Sequence, residues 1–398
     1  MQTRKGISIL GYGCMRFSQK NNKIDFDKAE KEFMRAYELG VNYFDTAYIY
    51  PGSEDVVGRI VEKNNIRDKI NIATKLPQYM VKNLAGIEKY FNEELKRLRT
   101  DYIDYYLMHH MTDYAQWEKL VELGIIDWIN EKKASGQIRN VGFSFHGKTE
   151  NFLKILNAYD WNMCLIQYNY MDEHTQAGKA GAQAAAAKGI PLMIMEPLRG
   201  GKLVDLLPEK AKEEIKNDPH GWTPAEWAFR WLWNQDEVTC VLSGMNSIDM
   251  VEENCRIASE ATAGSFTDKE FDMINKIKEI IAETTKVNCT GCRYCMPCPK
   301  GVNIPGIFSC YNHMYSEGRS SGRLEYFQTV ALSLEPADAT QCVGCGKCEK
   351  HCPQNIPIRE KLKEADKKLR PLPYKVGYKV AKRFMIGKKK DARSTNDQ

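Results

Sequence analysis

Eight short apolar runs, each followed by a longer stretch of helical periodicity, fill residues 1 to about 285. The runs are Ile7–Leu10, Val41–Phe44, Ile70–Ala73, Asp104–Met108, Asn140–Phe143, Met163–Gln167, Pro191–Met195 and Val238–Leu242. They are rich in Val, Ile, Tyr and Phe. Several lack the polar alternation of a half-exposed strand, as expected of strands buried on both faces. Asp27–Leu39 puts Ala29, Phe33, Ala36 and Tyr37 on one helical stripe and stops at Gly40. Asn83–Arg99 repeats the stripe, and Val121–Lys133 reads as one further helix. Thr223-Pro224 opens another, through Trp233, with threonine as N-cap and proline in the first turn. Strand–helix alternation eight times over predicts an α/β fold, a (β/α)8 TIM barrel. A doubly wound sheet would carry Gly-x-Gly-x-x-Gly after its first strand. Leu10-Gly-Tyr-Gly-Cys14 has only the first two of those glycines.

Nearly every run ends in a chemically useful residue. Asp45 follows the second, Lys75 the third, His109 the fourth, Ser144 the fifth, Asn169 the sixth, Glu196 the seventh and Ser243 the eighth. Their shared phase is the C-terminal rim, where barrel enzymes carry their chemistry. Asp45, Tyr50, Lys75 and His109 form a coherent group. A lysine beside a tyrosine favours the phenolate, which readies Tyr50 for proton transfer. Asp45 would hold Lys75 in place, and His109 would orient a carbonyl oxygen. His110 competes with His109, but adjacent strand side chains alternate faces, so only one is expected to face the pocket. Cys14, Cys164, Cys240 and Cys255 read as buried structural thiols, Cys14 with a possible place on the pocket wall.

The other cysteines fall in two runs. The first is Cys289-x-x-Cys292-x-x-Cys295-x-x-Cys298-Pro299, and the second is Cys342-x-x-Cys345-x-x-Cys348-x-x-x-Cys352-Pro353. Two such runs suit two [4Fe-4S] clusters: three thiolates of a run clasp one cluster and the fourth reaches to the other. Structural zinc would need four ligands, usually as two separated Cys-x-x-Cys pairs. The first run is one residue short before its last cysteine, which makes Cys310 an alternative to Cys298.

Several segments resemble the aldo/keto reductase family. They are Phe44-Asp-Thr-Ala-Tyr-Ile-Tyr50, Ala73-Thr-Lys75, Tyr106-Leu-Met-His109, Gly142-Phe-Ser144, Gln167-Tyr-Asn169, Glu196-Pro-Leu198 and Glu253-Asn254. The likeness covers residues 1 to about 283. The whole chain resembles the branch with a C-terminal two-cluster, ferredoxin-type domain. The resemblance implies a barrel, a catalytic tetrad of Asp45, Tyr50, Lys75 and His109, and NAD(P)H bound without a Rossmann motif. It places Ser144, Gln167 and Asn169 near the nicotinamide. Glu196, Pro197, Leu198, Gly200, Lys202, Ser243, Gly244, Glu253 and Asn254 would be further cofactor contacts. Two departures stand out. Met195 falls where an aromatic residue usually stacks on the nicotinamide. Gly244 and Met250 fall where a lysine and an arginine usually bind the 2′-phosphate, which removes charge-assisted contacts that favour NADPH over NADH.

The expected domains are a barrel over 1–283, a small α-rich dicluster domain over 284–366 and a basic tail over 367–398. Composition is that of an ordinary globular chain, 43% hydrophobic and 27% charged. No secretory signal or membrane span is expected, and the cytoplasm suits reduced thiols. A net charge of +5 without a basic, aromatic patch argues against nucleic acid. The basic tail offers contact with an acidic redox partner or, more weakly, an anionic membrane surface. The expected activity is reduction of a small-molecule carbonyl, or oxidation of an alcohol, with electrons exchanged with a ferredoxin or similar partner. Three alternatives stand beside it: FMN in the barrel, an idle barrel serving an electron-transfer or scaffold subunit, and clusters that are purely structural.

Overall fold

The structure, a computed structural model, describes residues 1–316, 318–331, 337–372 and 374. Most of the basic tail expected over 367–398, all of it beyond Tyr374, therefore lies outside the described residues.

Eight parallel strands close a barrel: β1 (Leu10–Gly13), β2 (Tyr43–Asp45), β3 (Asn71–Leu76), β4 (Ile103–Met111), β5 (Ile138–Phe145), β6 (Met163–Gln167), β7 (Leu192–Met195) and β8 (Val238–Ser243). Each strand pairs with its sequence neighbours, and β8 pairs with β1. The helices between them are α1 (Phe26–Glu38), α2 (Ser53–Asn64), α3 (Leu84–Leu98), α4 (Tyr114–Glu122), α5 (Ile125–Ala134), α6 (Thr149–Ala158), α7 (Gly178–Ala187), α8 (Glu209–Asn217), α9 (Pro224–Trp233) and α10 (Ile248–Glu260), with α11 (Asp268–Thr284) after the last.

Three sequence expectations need correction. Barrel strand β1 is Leu10–Gly13, not Ile7–Leu10; Ile7–Ser8 instead pairs antiparallel with Thr3–Arg4. Ile7 belongs to the barrel's interior cluster, so its apolarity reflects a buried plug and not a barrel strand. The guanidinium of Arg4 ties this hairpin down by donating to the carbonyls of Trp233, Gln235 and Val238, at 2.8, 2.7 and 2.5 Å. Trp233 ends α9, whose last carbonyls the helix itself leaves open, while Gln235 lies after the helix and Val238 begins β8. The second correction is that Val121–Lys133 is not one helix. Gly124, at φ +86°, separates α4 from α5, a left-handed conformation that glycine adopts at little cost. The third concerns His110 and is taken up with the site.

The interior explains where the polar residues arrive. Tyr43, Ala73, Leu107, Leu165, Met193 and Cys240 pack together inside the barrel. With a side-chain period of two, the next inward positions along four of these strands are Asp45, Lys75, His109 and Gln167. The apolar core column thus ends, strand by strand, in functional groups. Close packing of β5 against β6 needs Gly142, since a Cβ there would lie 2.3 Å from the Met163 sulfur. Outside the barrel, Phe33 of α1 stacks on Phe44 of β2 with centroids 3.9 Å apart. Thr223 caps α9 as expected, its hydroxyl accepting from the Glu226 N–H.

The chain forms two compact units, one of residues 1–198 and 222–272, the other of residues 199–221 and the described residues from 273 on. In the second unit, α12 (Ile304–Ser316) and α13 (Arg319–Tyr326) follow the first cysteine run, the single-turn α14 (Lys347–Lys350) lies within the second, and α15 (Ile358–Leu369) follows it. Ile304, Ile307, Phe308, Tyr311, Leu362 and Leu369 lie in its core, and Cys289, Cys295, Cys298, Cys342, Cys348 and Cys352 pack against that core. Among the described residues no helix is long and apolar enough to cross a membrane.

Candidate functional site

The barrel rim brings the four proposed catalytic side chains together. Lys75 is 1% exposed and donates to Asp45 Oδ1 at 2.5 Å and to the Thr46 carbonyl at 2.6 Å. Burial pushes the Asp45 carboxyl above its ordinary value, and the Lys75 ammonium pulls it back. Tyr50 comes from the turn between β2 and α2. Its N–H donates to the Ala47 carbonyl, and its own carbonyl accepts from the Ser53 N–H, both at 3.0 Å. The turn leaves the Tyr50 ring half-buried, its centroid 5.1 Å from Lys75 Nζ. His109 meets Tyr50 edge-on, with centroids 5.9 Å apart. Burial drives the His109 imidazole well below its ordinary pKa, and the nearby charge of Lys75 adds to this. His109 is therefore neutral at neutral pH and offers one N–H. Chemically the group is a phenol beside a fixed cation, with a neutral hydrogen-bond donor at its edge. That arrangement suits proton transfer to an oxygen that gains charge.

His110 departs from strand alternation. The register of β4 against β5 shifts between Met108 and Met111, and His110 sits there at φ +57°. This bulge re-aims the side chain: the His110 ring lies 4.7 Å from that of His146 and 6.5 Å from that of Tyr79. The period-two argument fails because the strand is not regular at that point. A bulge leaves no signal in the sequence. His146 is buried, and its pKa is driven well down by burial and by His110.

Gln167 and Asn169 share a hydrogen-bonded network through Asp172, and Ser144 stands on the neighbouring strand β5. Ser144 Oγ accepts from the His110 N–H at 2.8 Å. Gln167 accepts from Gln176 and donates to Asp172, both at 3.0 Å. Asn169 donates to Asp172 Oδ2 and to the Glu196 carbonyl, both at 3.0 Å. Hydroxyl and amide groups of this kind fit a planar carboxamide, and their neighbours fix their orientation. Asn254 donates to Ser243 Oγ at 3.1 Å, and Glu253 accepts from Thr223 at 2.8 Å. Glu196, at φ +54°, faces the Arg16 guanidinium at 3.7 Å; Pro197 and Leu198 follow it out of β7. Arg16 also lies along Gly244, where an added Cβ would come within 3.2 Å of its stem. Met195 packs, partly buried, against the barrel's interior cluster, and Met250 on α10 is 43% exposed. Cys14 is fully buried; burial and Asp45 push its thiol well up. Gly200 and Lys202 belong to the second unit, where Lys202 and the buried Arg199 line a cleft with Asn288 and Cys289.

In that unit the two cysteine runs interlock. Cys289, Cys292 and Cys295 of the first run share one recess with Cys352 of the second, walled by Ile304, Phe308, Ile356 and Ile358. Burial and the neighbouring sulfurs push the Cys295 thiol up to about 12, so binding of iron must displace protons. Four thiols in an apolar recess, one of them crossing from the other run, are the donor set a cubane cluster needs. Cys342 and Cys345 lie on the loop before α14 and Cys348 within α14; Cys298 packs against the core. Cys310 points elsewhere: it is buried in α12 with its sulfur 3.8 Å from Thr329 Oγ1.

Comparison with known proteins agrees with this geometry. The family model for the aldo/keto reductases matches residues 9–279, and that for the 4Fe-4S dicluster domain matches residues 288–356. An uncharacterized oxidoreductase of Bacillus subtilis, YqkF, is 28% identical over 288 residues, covering 64% of this chain and 88% of that protein. The holo form of aldo-keto reductase AKR11C1 from Bacillus halodurans superposes with a TM-score of 0.56 at 27% identity, over 68% of this chain and 92% of that one. An aldo-keto reductase from Klebsiella pneumoniae in complex with NADPH shares the fold, with a TM-score of 0.56 at 20% identity over 68% and 91% of the two chains. The chain is an oxidoreductase that belongs to the aldo/keto reductase family and carries a 4Fe-4S dicluster domain after its barrel.

Proposed function

We propose that the barrel moves a hydride between a nicotinamide dinucleotide and a small carbonyl or alcohol, while the dicluster domain exchanges single electrons with a redox partner. The observation that carries this is Lys75, held by Asp45 at 2.5 Å and set 5.1 Å from the Tyr50 ring. A same-fold neighbour is complexed with NADPH, which supports a dinucleotide as the barrel's cofactor; when bound it supplies the hydride. The protein's own groups handle the oxygen. Tyr50 gives its phenolic proton to the carbonyl oxygen, and Lys75 stabilises the phenolate left behind. Asp45 keeps Lys75 in position. Neutral His109 donates its N–H to the same oxygen and fixes its approach. Ser144, Gln167 and Asn169 would hold the carboxamide. Glu196, Pro197, Leu198, Gly200, Lys202, Ser243, Gly244, Glu253 and Asn254 are proposed along the rest of the dinucleotide. Cys289, Cys292, Cys295 and Cys352 would hold one cluster, and Cys342, Cys345, Cys348 and Cys298 the other.

The test is Tyr50→Phe. It should abolish NAD(P)H-linked carbonyl turnover and leave iron content unchanged. Turnover that survives the loss of the phenol removes the acid from this scheme.

A further inference from the structure

The two cysteine runs are not equally accessible. Of their eight thiols Cys345 alone is exposed, while the other seven are partly covered. Two residues before it Val343 is 64% exposed, a large apolar side chain left in water, with Gly344 between the two. Lys347, Lys350 and His351 are exposed on the same segment. Between Cys342 and Cys352 the only carboxylate is Glu349, and Arg359 holds it at 2.7 Å. Arg359 also donates to the Gly344 carbonyl at 3.4 Å, which fastens the loop. Among the described residues no carboxylate pairs with Lys347 or Lys350. The recess of Cys289, Cys292, Cys295 and Cys352, by contrast, is walled by isoleucines and Phe308.

We infer that the Cys342–Cys352 loop is the electron port of this protein, and that it docks a small acidic one-electron carrier protein. An exposed apolar centre with a cationic rim is the anatomy of a transient interface. Its uncompensated positive charge attracts carboxylate-rimmed carriers and repels basic ones. The transfer balances simply: the reduced carrier loses one electron and the adjacent cluster gains it, with no bond made and no proton moved. The inference rests on the proposed electron-transfer role of the clusters.

The experiment uses the full, cluster-loaded chain and a reduced acidic ferredoxin as probe. Stopped-flow reduction should slow about tenfold or more between low and physiological salt, as steered encounters do. Lys347→Glu with Lys350→Glu should slow the low-salt rate about tenfold or more and flatten its salt dependence. It should also weaken carrier binding measured by calorimetry. Reduction by methyl viologen radical, iron content and the midpoint potentials from electron paramagnetic resonance should stay unchanged. If the double reversal loads no iron, Lys347→Gln with Lys350→Gln should give the same change at smaller amplitude. Carrier binding and reduction indifferent to both charge and salt overturn the port. Clusters that no mediator can reduce overturn the electron-transfer reading itself.

Discussion

Asp45→Asn is the most informative single change at the rim. The substitution keeps size and shape, so it leaves no cavity. What it removes is the countercharge of Lys75. The side chains of the pair are 6% and 1% exposed, so solvent screens little of the interaction. Breaking a buried pair by neutralising one partner costs about 3–5 kcal/mol, because the remaining charge is stranded. The Thr46 carbonyl still accepts from Lys75 at 2.6 Å, so we place the cost near the lower end, about 3 kcal/mol. Urea unfolding followed by tryptophan fluorescence would measure it. All seven tryptophans lie between Trp117 and Trp233, within the first unit, so the signal reports the barrel alone. With a slope of at most about 3 kcal/mol per molar, the midpoint should fall by about 1 M or more. Carbonyl turnover should be lost with it, because Lys75 is no longer held beside Tyr50. Asp104→Asn provides the control. Asp104 is 1% exposed and pairs with Arg67 and Arg139, both at 2.8 Å, on the outside of the barrel. That variant should lose stability and keep turnover. An Asp45→Asn enzyme within about 0.5 kcal/mol of the parent, or with full activity, would refute the reasoning.

Other predictions follow from the same geometry. His146 is neutral in the fold because burial lowers its pKa, whereas the unfolded chain takes up its proton below about pH 6.5. Its contribution to stability is therefore lost as pH falls, by about 1.4 kcal/mol at pH 5.5. His146→Gln should remove that part of the loss, as seen by comparing urea midpoints at pH 7.5 and 5.5; parallel losses in both proteins would contradict it. We propose that Arg16, whose stem lies along Gly244, offers a cation to a 2′-phosphate in place of the lysine that is missing there. Arg16→Gln should raise KM for NADPH about tenfold more than KM for NADH, and equal changes would exclude a phosphate contact. Cys352→Ser should cost the cluster of the first run about half of the iron, while Cys310→Ala should cost none; iron analysis of the two variants decides between them.

Much of this molecule could be read from residue order. Runs of Val, Ile, Tyr and Phe mark strands because a barrel buries both strand faces. Asp45, Lys75 and His109 stand at the strand ends because the period of two that packs Tyr43, Ala73 and Leu107 inside continues one step further. Failures came where a local feature breaks the period. Ile7 is apolar because it plugs the barrel, and a plug and a strand look alike over four residues. Gly124 divides α4 from α5 although the apolar stripe runs on. The bulge at His110 depends on the register of β4 against β5, which no single strand encodes. The helix α8 was missed because Glu209–Asn217 is mostly charged and shows only Ala211 and Ile215 to the core. The crossing of Cys352 into the first recess was readable, since a run of four ending in Cys-Pro makes sense only with a second run to receive it.

Electron counting constrains how the two halves of the chemistry combine. Carbonyl reduction consumes two electrons and a proton at one carbon–oxygen bond. Tyr50 can provide the proton and Lys75 can stabilise what remains, but neither carries an electron. A cubane cluster passes one electron at a time. Nothing in the rim of Asp45, Tyr50, Lys75 and His109 is arranged to hold a half-reduced substrate: it is a charged pair, a phenol and a neutral imidazole, suited to closed-shell proton transfer. On the proposed function, the barrel would need a two-electron donor of its own, and the clusters would serve a separate one-electron exchange. The two functions should be severable. Tyr50→Phe should stop the first while the clusters still reduce at an unchanged rate, and charge reversal at Lys347 and Lys350 should slow the second while NAD(P)H-linked turnover continues.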